Sequence, residues 1–180
     1  MERVITLIRK YRIIFFMGML CVAVLFGCTI NSEDSLTTPV KSSILDKVKN
    51  GELEGISINL GATKKEVLDK YGDPIRSGNS EYGFTFYYDG FSLEFEDYAD
   101  SIDQVKETSK VVLMNADPKT VGLTGSPDEI KGILGIPSRE IQDDTGDNTF
   151  ILEYSVSDYL FKITFDTSNS PVKYITLQIK

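Results

Sequence analysis

Two stretches of alternating apolar and polar residues organise the chain. In the first, Phe84, Phe86 and Tyr88 alternate with Thr85 and Tyr87. After Asp89-Gly90 the pattern resumes, with Phe91, Leu93 and Phe95 set among Ser92, Glu94 and Glu96. A period of two puts alternate residues on one face of a strand, and Asp-Gly is a strong two-residue hairpin turn. That turn pairs Tyr88 with Phe91, Phe86 with Leu93 and Phe84 with Phe95, so all six side chains land on one face. Gln104–Met114 is the expected return strand, less clearly patterned. In the second stretch Phe150, Leu152 and Tyr154 alternate with Ile151 and Glu153, and Ser155–Asp158 is the turn. Tyr159, Phe161, Ile163 and Phe165 follow on one face. Thr167–Pro171 turns again, and Ile175, Leu177 and Ile179 close the chain.

Before each stretch the period is helical. Thr63-Lys64-Lys65-Glu66 is a capping box, in which a hydroxyl and a carboxylate satisfy each other's backbone N–H groups. Val67, Leu68 and Tyr71 form its stripe, Gly72 supplies the left-handed end and Pro74 blocks continuation. Ser126-Pro127-Asp128-Glu129 repeats the box 63 residues later, with Ile130, Ile133 and Leu134 as its stripe; Leu123, Ile130, Gly135 and Pro137 fall 63 residues after Leu60, Val67, Gly72 and Pro74. So many matches at one offset predict an internal repeat. The expected fold is α+β: a short helix followed by an antiparallel three-stranded sheet, in tandem over residues 44–122 and 123–180. Ile44–Lys49 reads as a further short helix ended by Asn50-Gly51, and Ile56 and Ile58 as a short extended piece.

The N-terminal pattern differs. An apolar run, Ile13–Phe26, follows a basic head with Arg3, Arg9, Lys10 and Arg12. At 14 residues the run is short of the ~20 a spanning helix needs, and its flanks suit a secretory signal peptide. Leu25-Phe26-Gly27-Cys28 resembles the bacterial lipobox. The resemblance implies cleavage after Gly27, lipid on the Cys28 thiol, and a protein anchored at the extracytoplasmic face of the cell membrane. Residues 1–27 are then the leader. Residues 28–43, polar and without apolar period, read as a flexible tether of roughly 20 Å root-mean-square span.

Composition narrows the chemistry. The leader takes four basic residues and one acidic one, leaving 15 Lys and Arg against 26 Asp and Glu. Such a surface repels nucleic acid and anionic headgroups, so the membrane is reached through Cys28 alone. Cys21 goes with the leader and Cys28 carries lipid, so no disulfide is available to an exported domain. With no histidine in the chain, His-dependent triads and the usual zinc sites are excluded. A Ser-Lys pair or paired carboxylates remain formally open. Lys64-Lys65 sits at a helix start without the glycines of a phosphate loop.

Neither of two acidic clusters suits calcium, which wants several oxygen ligands at alternate positions around a rigid turn. Asp143, Asp144, Asp147 and Asn148 around Gly146 lack ligand spacing and read as a solvated loop. Glu94, Glu96, Asp97, Asp100 and Asp103 read as edge protection, with Glu94 and Glu96 opposite the core. No metal and no cofactor is expected. Tyr87, on that same outer face, is the aromatic placed for contact with a partner. Tyr87, Glu94 and Glu96 are the candidate binding surface.

Three segments in order carry a wider resemblance: Asp46-Lys47-Val48-Lys49-Asn50-Gly51-Glu52-Leu53-Glu54-Gly55, Leu60-Gly61-Ala62-Thr63-Lys64-Lys65-Glu66-Val67 and Tyr71-Gly72-Asp73-Pro74. Aromatic hairpins and a second helix ending Leu134-Gly135-Ile136-Pro137 follow. The chain resembles the YjgB-type lipoproteins of Gram-positive bacteria over most of Leu45–Lys180. Each half is loosely similar to the helix-plus-sheet repeat of beta-lactamase inhibitor protein and of small outer-membrane assembly lipoproteins, an architectural likeness without a shared target. The resemblance supplies no catalytic residues. The expected role is a non-enzymatic module binding an envelope protein or polymer. The alternatives are a small-ligand or cation sensor, and a carboxylate-based envelope hydrolase.

Overall fold

The structure is a computed structural model and describes residues 38–143 and 148–180. The leader, Gly27, Cys28 and the first part of the tether lie outside the described residues. So do Asp144 and Asp147.

Among the described residues eight antiparallel strands form one sheet. In chain order they are β1 (Arg76–Asn79), β2 (Phe84–Tyr88), β3 (Phe91–Phe95), β4 (Val111–Ala116), β5 (Arg139–Gln142), β6 (Phe150–Val156), β7 (Tyr159–Phe165) and β8 (Val172–Ile179). Their order across the sheet is β1-β2-β3-β4-β8-β7-β6-β5. The helices are short: α1 (Thr38–Lys49), α2 (Lys64–Tyr71), α3 (Pro118–Val121) and α4 (Pro127–Leu134).

This corrects the expected α+β tandem of a helix and a three-stranded sheet. The fold is predominantly β, with a single sheet. Each half adds an unforeseen first strand, β1 or β5, and β4 pairs with β8 through Met114–Leu177 and Ala116–Ile175. Two separate three-stranded sheets would each leave open backbone edges. Joining the two halves at β4 and β8 leaves, among the described residues, the short outer strands β1 and β5 as the edges. Because β3 lies inside the sheet, Glu94 and Glu96 do not protect an edge.

The aromatic hairpin forms with the register its sequence predicts: Tyr88 opposite Phe91, Phe86 opposite Leu93 and Phe84 opposite Phe95. Phe84, Phe86, Leu93 and Phe95 are buried, with Tyr88 and Phe91 packed at the margin. Phe161, Ile163, Phe165, Leu152, Ile175 and Leu177 continue the same core. Removing each such side chain from water contributes roughly 1.5–3 kcal/mol. Val48 of α1, Val67 of α2, and Ile130 and Leu134 of α4 belong to that core, which places the helices over one face.

Both capping boxes are formed, Thr63 with Glu66 and Ser126 with Glu129. Each helix is closed by a glycine whose carbonyl accepts from a strand tyrosine. Tyr88 Oη donates to the Gly72 oxygen and Tyr154 Oη to the Gly135 oxygen, both at 3.1 Å. Helix α1 begins at Thr38, six residues before the sequence places it, and packs on α4, β6 and β7. Ile56 and Ile58 are buried, but their segment makes only an isolated bridge, Glu52 to Asn59. Among the described residues no helix is long and apolar enough to cross a membrane.

Candidate functional site

The face of the sheet opposite the helices carries a row of polar residues from edge to edge. The pairing registers set Arg76, Tyr87, Ser92, Asn115, Thr176, Lys162, Glu153 and Arg139 side by side, one from each strand. Alternation dictates this row: each residue flanks an inward apolar residue, so each must point outward. Neighbours in the row are tied together. The Arg76 guanidinium lies 3.6 Å from the Tyr87 ring centroid. Thr176 Oγ1 donates to Asn115 Oδ1 at 2.6 Å, and Arg139 approaches Glu153 at 3.8 Å. Lys162 Nζ donates to Gln178 Oε1 at 3.3 Å.

Among the described residues, three hollows lie along this face and reach round its ends. One of about 460 Å³ is lined by Ser80, Glu81, Tyr82, Glu94, Leu113, Asn115, Ile151, Lys162, Thr164, Tyr174, Thr176 and Gln178. A second, of about 220 Å³, adjoins it at Asn115 and Tyr174 and includes Tyr87, Ser92 and Asp117. A third, of about 180 Å³, adjoins at Tyr82, Leu113 and Gln178 and adds Val112 and Ile179.

Glu94 is only 4% exposed although it lies on the outward face. The loop between β1 and β2 supplies its partner: the Tyr82 N–H donates to Glu94 Oε1 at 2.8 Å. A buried carboxylate without such a donor would be strongly disfavoured. The loop is held in turn by Tyr98 Oη donating to the Glu81 oxygen at 2.5 Å, and by Ser80 Oγ donating to the Gly83 carbonyl at 3.1 Å. Gly83 is required here, since a Cβ would sit 1.8 Å from the Phe95 oxygen. The Tyr82 phenol is held above its usual 10.0 by the Glu81 charge first, then by burial, the hydrogen bond to Glu81 and the Glu94 charge.

Asn115 and Gln178 each spend the side-chain oxygen on a neighbour, Thr176 and Lys162 respectively. Among the described residues neither amide nitrogen has an acceptor. Both therefore offer N–H groups to whatever enters the hollow. With Lys162 as a third donor, Glu94 as an acceptor and two exposed tyrosine rings, Tyr82 at 54% and Tyr174 at 40%, the face is equipped to hold a polar ligand.

The sequence-derived candidates are distributed unevenly. Tyr87 is on the outward face and lines the hollow of about 220 Å³, half-buried beneath Arg76. Glu94 lines the larger one. Glu96 lies past the irregularity between Glu94 and Phe95, exposed, with Oε1 accepting from the Lys110 N–H at 3.4 Å, and it lines none of the three hollows. Asp97, in the same acidic cluster, pairs with Lys106 at 3.3 Å. Among the described residues no group of three acidic or thiol side chains is placed to hold a metal. Lys64 is taken up by the Val105 carbonyl at 2.9 Å and by Glu107. Asn115, Lys162, Thr164, Tyr174, Thr176 and Gln178 were not singled out. The signal for most of them was the alternation that located the core, followed through its other phase.

A family model described as a domain of unknown function, DUF4309, matches residues 41–178. A crystal structure of a DUF4309 family protein, YjgB from Bacillus subtilis, aligns with a TM-score of 0.55 at 13% identity, covering 78% of this chain and 96% of that one. An extracellular protein containing a SCP domain from Bacillus anthracis aligns with a TM-score of 0.42 at 14% identity, over 84% of this chain and 50% of that one. At these identities the first likeness bears on fold alone, and the second is too weak to bear on anything. No curated protein matches the chain.

Proposed function

Because the chain belongs to the DUF4309 family, whose specific role is unknown, we propose a reading of our own: a non-enzymatic binding module, lipid-anchored through Cys28 on the extracytoplasmic face of the membrane, whose outward sheet face receives a component of the envelope. The observation that carries the binding role is the hollowed polar face with its unspent amide donors. The anchor rests on the lipobox resemblance, and on an apolar run too short to span a bilayer.

Purified envelope from a Gram-positive host tests the binding role. The chain from Thr29 to Lys180 contains the whole described unit, and it should cosediment with walls. Asn115→Ala combined with Gln178→Ala should abolish this, whereas Asp128→Ala on the helical side should not. Equal sedimentation of all three would refute the reading. Metabolic labelling with an alkyne fatty acid tests the anchor: the wild type takes label, and Cys28→Ser takes none and leaves the lipoprotein-specific cut undone.

A second reading, hydrolysis by paired carboxylates, draws on Glu81 and Glu94 lining the same hollow. Release of reducing sugar from walls, lost in Glu94→Gln, would favour it over binding alone.

A further inference from the structure

The three hollows join end to end, sharing Asn115 and Tyr174 at one junction and Tyr82, Leu113 and Gln178 at the other. Their floor follows β4 and β8, from Asp117 at one end to Val112 at the other. At ~3.3 Å per residue this trough is roughly 17 Å long. We propose that it seats a neutral glycan, several sugar rings laid along the β4–β8 junction. The inference rests on the outward face being the binding surface, and it names the ligand class of that surface.

The first argument is what the trough withholds. Strand β4 lies between β3 and β8, so its backbone groups are committed to the sheet ladder. An extended peptide can dock as an added strand only where an edge is open, and the edges of this sheet are β1 and β5. Recognition over β4 and β8 must therefore come from side chains alone.

The second argument is what those side chains offer. Asn115 and Gln178 present amide N–H groups, Lys162 an ammonium and Glu94 a carboxylate, all at one hollow. Donors and acceptors so mixed suit hydroxyl groups, each of which both donates and accepts. Tyr82 and Tyr174 add flat apolar faces with polar tips, which suit the C–H face of a pyranose ring.

The third argument is charge. The trough is lined by three carboxylates, Glu81, Glu94 and Asp117, and by one ammonium, Lys162, inside a chain of formal charge -8. A polyanion would be repelled by the protein as a whole. A polycation brings donors only, and would leave the Asn115 and Gln178 amide N–H groups without acceptors. A neutral chain meets neither cost.

The test is titration of the isotope-labelled Thr29–Lys180 chain, followed by NMR, with three probes: an N-acetylglucosamine tetrasaccharide, a β-linked glucose tetrasaccharide and a tetraalanine peptide. The expected result is saturable shifts of the Asn115 and Gln178 side-chain amides with a tetrasaccharide and none with the peptide. A preference between the two sugars tells wall glycan from other glycans. Tyr174→Ala, whose spectrum reports that the fold is kept, should weaken binding about tenfold. Shifts with the peptide alone overturn the inference. No shifts with either sugar, while walls still cosediment through Asn115 and Gln178, overturn the glycan assignment and leave the binding face standing. Loss of both defeats the two readings together.

Discussion

Replacing Tyr154 with phenylalanine should make the protein less stable at neutral pH and more stable at strongly alkaline pH. Tyr154 is 4% exposed, and its hydroxyl donates to the Gly135 carbonyl that closes α4. Burial first, and then the Glu140 charge, push its phenol from 10.0 up to about 12. Below pH ~10 phenylalanine loses only the hydrogen bond, about 1 kcal/mol. Above that pH the unfolded tyrosine ionises while the folded one does not. The stability tied to the raised phenol is thus complete below 10 and drains away as pH rises through about 12. Linkage gives a loss of about 1.4 kcal/mol by pH ~11 and about 2 kcal/mol by pH ~12, at 1.36 kcal/mol per unit. Phenylalanine has nothing to ionise, so the two stability curves should cross near pH ~11. Urea midpoints of both proteins, measured in parallel from about pH 9 upwards, give the difference directly. Near-ultraviolet phenolate absorbance should show Tyr88 and Tyr154 ionising last, since Tyr88 is also pushed up to about 12, mainly by burial and then by Asp73. Parallel curves that never cross would refute the reasoning.

Three further outcomes follow from the geometry. Glu66 and Glu129 are held below their usual 4.5, first by the backbone N–H groups of Thr63 and Ser126 and then by those residues' hydroxyls. Their stabilisation is present above 4.5 and lost as pH falls through the depressed values, so Glu66→Gln with Glu129→Gln should flatten the acid limb of the stability–pH curve. Gly83→Ala forces a Cβ against the Phe95 oxygen and should cost about 1–3 kcal/mol, whereas Gly78→Ala, with nothing within 4 Å, should change chemical denaturation by less than ~0.5 kcal/mol. Lys64→Met strands the Val105 carbonyl and should cost about 1–3 kcal/mol. Glu107→Gln removes only a largely exposed ion-pair partner and should cost under ~1 kcal/mol in the same assay.

What could be read from the sequence was local. The hairpin register followed from Asp89-Gly90 and the aromatics beside it, and the capping boxes from four-residue patterns whose partners lie within one turn. Strands β1 and β5 left no such trace. They hold Arg76-Ser77-Gly78-Asn79 and Arg139-Glu140-Ile141-Gln142, short and largely exposed, with one neighbour each, so burial imposes little pattern on them. The β4–β8 pairing was illegible for another reason. It joins residues as far apart as Asn115 and Thr176, and no local rule chooses between one joined sheet and two separate ones. The site follows the same division. Tyr87 and Glu94 were legible as outward residues of one hairpin. Lys162, Thr176 and Gln178 became neighbours of Asn115 only through pairing across the middle of the sheet.

The outward face, rather than the helical one, is the proposed contact with the envelope. Nitration of exposed tyrosines with and without bound walls tests it most directly. Tyr82, Tyr98 and Tyr174 are all accessible in the free protein, at 54%, 65% and 40%, and only Tyr82 and Tyr174 line the trough. Bound walls should shield Tyr82 and Tyr174 from nitration while Tyr98 reacts as before. Bound walls that leave Tyr82 and Tyr174 fully reactive would contradict it.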